Sequence, residues 1–90
     1  MKLSIIVPAH NEEDNIAEVI NKIEDSLNFE FEIVVVNDHS SDKTAEIITG
    51  LTKRYQNIRM IDNQRDPGFA NALKAGFEKD EAKSVKDIYA

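Results

Sequence analysis

Short runs of β-branched apolar residues, each closed by a polar loop and followed by an amphipathic stretch, constrain the fold of this chain more than any other feature. The first run is Leu3 to Val7, backed by Pro8, which cannot donate to a continuing ladder and so predicts the end of the first strand. Glu32-Ile33-Val34-Val35-Val36-Asn37 repeats the pattern, and its consecutive apolar positions predict a strand covered on both faces. Ile58 to Ile61 reads as a shorter third strand. Between the first two strands, Ile16, Val19, Ile20, Ile23 and Leu27 recur at helical spacing. Asn11 is the expected cap of that helix, with Glu12, Glu13 and Asp14 in its first turn and its end near Asn28. A second helix from about Lys43 sets Thr44, Ile47, Ile48, Leu51 and Tyr55 along one side. Ala70, Leu73 and Phe77 mark a third helix after the Asp66-Pro67-Gly68 loop.

Strands and helices alternating at this spacing imply right-handed crossovers, and hence an α/β fold with an open, parallel, doubly wound sheet. In such sheets ligands settle beyond the carboxyl ends of the strands. That rule singles out Pro8 to Glu12, Asn37 to Asp42 and Asn63 to Gly68. The 90 residues allow one domain, spanning 1–90, with a modest core.

Seventeen acidic against eleven basic side chains give a net charge of -6, which repels polyanions and argues against nucleic acid as a partner. The absence of cysteine excludes disulfides, zinc thiolate sites and thiol catalysis, and fits a reducing compartment. The apolar stretch at the start is too short for a signal peptide or a membrane span, so the expected location is cytoplasmic.

The loop after the first strand, Pro8-Ala9-His10-Asn11-Glu12, contains no glycine, which excludes both the dinucleotide fingerprint and the P-loop. After the second strand, Asp38 offers a carboxylate to a ribose or a base, or equally to backbone donors of its own turn. Asp38-His39-Ser40 holds the residue types of a hydrolytic triad, but consecutive side chains diverge. His10 and His39 lack companions at any zinc spacing. Ser40, Ser41, Asp42 and Thr44 read as turn and capping residues, and Phe69 and Phe77 as core.

Two motifs in order across one βαβ unit carry a resemblance. Leu3-Ser4-Ile5-Ile6-Val7-Pro8-Ala9-His10-Asn11-Glu12, followed by Glu32 to Thr44, resembles the opening of inverting family-two glycosyltransferases. Asp66 to Phe77 is similar to the loop and helix after the third strand in polyprenyl- and dolichyl-phosphate sugar transferases. The resemblance implies the Rossmann-like N-terminal half of a GT-A fold, with a nucleotide-diphosphate sugar of the UDP or GDP type across these loops. By it, Pro8, Ala9, His10 and Glu12 line the base and ribose pocket, Asp38 contacts the nucleoside, and Arg65 supplies charge near the diphosphate. The family often has Tyr where this chain has His10; an imidazole can also stack or hydrogen-bond.

In the family's pattern a fourth strand leads to an Asp-x-Asp motif that holds Mg²⁺ or Mn²⁺, and a later acidic residue serves as base. Ser84 to Ala90 resembles the lead into that strand, with Asp87 at its start, and neither catalytic element is visible in these residues. The expectation is therefore a truncated donor-binding portion, inactive alone, from an enzyme whose acceptor is a group such as a membrane lipid phosphate. The alternative is a non-catalytic nucleotide-binding or interaction module, with homo-oligomers formed through an open sheet edge.

Overall fold

The computed structural model describes the backbone of residues 3–79 and 84–87 and the side chains of residues 3–76. Its elements are β1 (Leu3–Ala9), α1 (Ile16–Ser26), β2 (Phe31–Asn37), α2 (Thr44–Arg54), β3 (Ile58–Asp62), α3 (Phe69–Lys79) and β4 (Ser84–Asp87). All strand pairs are parallel, in the order β3-β2-β1-β4. The chain steps outward from β1 to β3 and then returns past β1 to place β4 on its other side. Right-handed crossovers running in opposite directions along a sheet put their helices on opposite faces.

The alternation of side chains along a strand sorts the core accordingly. Ile5, Val7, Ala9, Ile33 and Val35 cluster with Ile16, Ile20 and Ile23 of α1 and Ile48 and Leu51 of α2. Ile6, Val34 and Val36 point the other way and meet Ala72 and Ala75 of α3. Each fully buried Ile or Val contributes about 1.5–3 kcal/mol, so both faces of β1 and β2 are anchored. The α3 face is lined with small residues for a steric reason. A Cβ on Gly76 would lie 2.6 Å from Ile6 Cγ2, so the helix rides close on the sheet.

Three sequence expectations are corrected here. Pro8 does not end the first strand, which runs on to Ala9. Ala9 O accepts the Asp38 N–H at 2.8 Å, so the polar groups of Ala9 face β2 and those of Pro8 face the β4 side. There the described pairing stops at Ile6 opposite Asp87, and the missing N–H of Pro8 interrupts none of it. Asn11 does not cap α1; a turn in which Asn15 and Ile16 both donate to Glu12 O delays the helix to Ile16. Asp87 does not start β4, whose described span is Ser84–Asp87, and residues 88–90 lie outside those described. Among the described residues no helix is long and apolar enough to cross a membrane.

Candidate functional site

The carboxyl ends of β1, β2 and β3 release three loops on one edge of the sheet, and period-two alternation decides where their first side chains point. Asp38 follows Val34 and Val36, and Asn63 follows Ile61, so both continue the side chains that face α3. The ladder extends to hold them, because Asp38 N donates to Ala9 O and Asn63 N donates to Asn37 O at 3.0 Å. Both are buried, and they meet beneath the start of α3. Asn63 Nδ2 donates to Asp38 Oδ1 at 2.9 Å, and the Gly68 N–H donates to Asp38 Oδ2 at 3.0 Å. Gly68 has φ 137°, a left-handed conformation that glycine alone adopts readily.

His10, Asp38, Pro67, Gly68 and Phe69 line a cleft of about 260 Å³ at this edge. His10 Nδ1 donates to Asp38 O at 2.6 Å, and since a carbonyl only accepts, this fixes the proton on Nδ1. The other ring nitrogen accepts a long contact of 3.4 Å from Asn11 Nδ2. His39 Nε2 likewise donates to Arg65 O at 2.7 Å and ties the second loop to the third.

The first two loops are laced together on the α1 side. Asn11, at φ 50°, accepts the Ser41 N–H at 2.8 Å through Oδ1, while its own N–H donates to Ser40 Oγ at 3.0 Å. His39, at φ 53°, is the second non-glycine in this region among the described residues, and both residue types are enriched there. Glu12 N donates to Thr44 Oγ1 at 2.8 Å and Glu13 N to Asp42 Oδ2 at 3.3 Å. Desolvation raises the Asp42 carboxyl, but hydrogen bonds from the Thr44 hydroxyl and the Thr44, Glu13 and Asp42 N–H groups hold it below its ordinary value.

The residues singled out from sequence therefore divide. His10 and Asp38 stand on the cleft wall. Pro8 and Ala9 are buried within β1, with Ala9 packed in the α1–α2 core. Glu12 lies in the turn before α1, where Oε2 accepts Asn15 Nδ2 at 3.4 Å. Arg65 sits in the β3–α3 loop, its backbone N–H donating to Asn63 Oδ1 at 2.9 Å. Asn63 and Pro67 belong to the Asn63 to Gly68 segment singled out above, although the resemblance assigns neither a contact, and Phe69 lies one position beyond it. Phe69, expected in the core, is 42% exposed and lines the cleft. The signal was available: Phe69 shares the stripe of Gly76, two turns or roughly 10 Å toward the helix start. A phenyl ring on a stripe that seats glycine against the sheet fits only where the sheet has ended. Among the described residues no three His, Asp or Glu side chains gather as a metal site.

A parallel sheet reversed at β1, with a cleft walled by the carboxyl ends of its strands, defines a doubly wound α/β unit. The chain belongs to glycosyl transferase family 2, whose model matches residues 4–82. It is 35% identical over 80 residues to the dolichol-phosphate mannosyltransferase of Pyrococcus furiosus, covering 88% of this chain and 22% of that protein. It is 37% identical over 82 residues to a dolichyl-phosphate beta-glucosyltransferase of Trichomonas vaginalis, covering 82% of this chain and 25% of that one. The chain thus spans about a quarter of the length of these relatives. Among solved structures, S. aureus TarS residues 1–349 superpose with a TM-score of 0.84 at 29% identity, over 99% of this chain and 27% of that one. The same protein in complex with UDP gives 0.80 at 30% identity, again over 99% and 27%. The Pyrobaculum calidifontis mannosyltransferase PcManGT, in complex with GDP-Man and Mn²⁺, gives 0.80 at 24% identity over 94% of this chain and 26% of its own, a likeness of fold. The neighbours are glycosyltransferases of the GT-A fold, as the two sequence motifs implied.

Proposed function

We propose that this chain forms the donor-binding portion of a glycosyltransferase that moves a sugar from a nucleoside diphosphate, UDP or GDP, to an acceptor such as a lipid phosphate. The observation that carries the reading is the cleft walled by His10, Asp38, Pro67, Gly68 and Phe69, placed where doubly wound sheets bind ligands. The UDP complex of TarS, at 30% identity, supports the nucleotide class, and the dolichol-phosphate relatives support a lipid acceptor. On this reading the base meets the apolar wall of Pro67 and Phe69, His10 and Asp38 offer polar contacts, and Arg65 lies toward the diphosphate. A departing nucleoside diphosphate needs a cation or several fixed donors, so the 90 residues alone do not turn over. The lack of cysteine supports a cytoplasmic setting.

Amide NMR during titration with UDP, and separately with GDP, tests the reading. Resonances of His10, Asp38, Gly68 and Phe69 should move with one nucleotide. Silence at saturating concentrations of both refutes donor binding, and sugar transfer by the purified chain refutes the claim of inactivity.

A further inference from the structure

We propose that Asn63 is the positioning residue of this pocket, holding the Asp38 carboxylate and the β3–α3 loop in the geometry that receives the nucleotide; this rests on the donor-binding reading above. Asn63 is only 4% exposed, and its backbone N–H and both side-chain polar atoms are committed. Its backbone N–H extends the β2–β3 ladder to Asn37 O. Its Nδ2 donates to Asp38 Oδ1 at 2.9 Å and to Asp66 O at 3.1 Å, while its Oδ1 accepts the Arg65 N–H at 2.9 Å. One planar group thus sets a cleft-wall carboxylate and two points of the loop that delivers Pro67, Gly68 and Phe69 to the cleft.

The chemistry of the side chain explains why it must be a carboxamide. Two donors and an acceptor are needed at one buried point; a carboxylate brings no donor, and a hydroxyl brings one. The other Asp38 carboxylate oxygen is held, among the described residues, by the N–H of Gly68, itself a loop residue in a left-handed conformation. Asn63 therefore ties the Asp38 carboxylate, whose backbone the β1–β2 ladder already holds, to the end of β3. His39 completes the hold on the loop by donating to Arg65 O from the opposite side of that residue.

Asn63→Asp keeps the size and the acceptor for Arg65 but removes both donors; Asn63→Ala removes the group. Calorimetric titration of the 90-residue chain with UDP and with GDP should show binding weakened about tenfold or more in both variants. The Gly68 amide proton should shift and exchange faster with solvent in both. Asn57→Ala is the control, because Asn57 makes comparable carboxamide contacts to Glu24 Oε1 and Phe31 O at the amino end of the sheet. It should leave nucleotide affinity unchanged. Wild-type affinity in both Asn63 variants, or an equal loss in Asn57→Ala, overturns the proposal. Should both variants unfold, the wild-type Asn63 side-chain amide decides: slow exchange and a shift on nucleotide binding support it, and solvent-like exchange with no shift overturns it. If neither nucleotide binds the wild type, the donor-binding reading fails and the pocket role fails with it. The Gly68 amide then still reports whether Asn63 sets the loop.

Discussion

Replacing Gly76 and Gly50 by alanine makes the same chemical change inside two helices, and the packing around them sets opposite signs. Alanine in place of glycine in a helix interior gains about 1 kcal/mol from backbone entropy. At Gly50, exposed in α2, an added Cβ meets nothing within 4 Å, so that gain stands alone. At Gly76 the same atom would lie 2.6 Å from Ile6 Cγ2 and 3.3 Å from Val36 Cγ2. Carbon atoms settle at about 3.5–4.0 Å, so something must move. Ile6 and Val36 are fully buried and branched at Cβ, which leaves neither methyl an easy way out. Lifting α3 or forcing a rotamer costs about 1–3 kcal/mol, typical of overpacking. Taking the middle of that range, Gly76→Ala is destabilised by about 1 kcal/mol net and Gly50→Ala is stabilised by about as much. For a chain of this size each shift moves Tm by about 4–8 °C, in opposite directions. Urea unfolding followed by circular dichroism, at unchanged m-value, measures both. In an Ile6→Leu background, where the branch leaves Cβ, the Gly76→Ala penalty should shrink. A Gly76→Ala midpoint at or above that of the wild type would refute the close seating of α3.

Gly68→Ala tests backbone strain apart from crowding, because φ is 137° while a Cβ there meets nothing within 4 Å. It should cost about 1–3 kcal/mol in urea unfolding, and a neutral variant would remove the argument for glycine at this turn. The Asp42 ties predict a pH dependence. The folded carboxyl lies below its unfolded value of about 3.9, so their stabilisation is complete above that pH and is lost as pH falls through the lower folded value. Urea midpoints from about pH 6 to about pH 2 should therefore fall less steeply for Asp42→Asn than for the wild type. Equal acid limbs would show that the carboxyl contributes no linkage.

The strands were legible because each buried run is apolar at consecutive positions, and the two family motifs fall directly at their ends. The errors come from interactions that span the fold. Pro8 looked like a stop signal because its tolerance depends on which side of β1 its backbone faces, which a local reading does not contain. Asn11 looked like a helix cap, but its acceptor serves Ser41, thirty positions away. Asn63 opens a segment the strand pattern singles out, but its bond to Asp38 was illegible for the same reason. Its partner Asp38 lies twenty-five positions earlier, and the two meet only once β2 and β3 pair with Asn37 opposite Asp62. Phe69 was misread by residue type, although the small residues sharing its helical stripe indicate where a large ring can go.

Gly68 opens α3 by offering its carbonyl to the Ala72 N–H, and its own N–H points at Asp38. A helix start carries a partial positive charge that elsewhere draws in phosphate. Here the protein has brought its own anion to that point, held on a neighbouring strand. On the proposed donor-binding reading, an incoming diphosphate would find this pole already occupied and would seek its compensating charge elsewhere. A nucleotide would then be oriented as much by repulsion from Asp38 at one end as by attraction at the other.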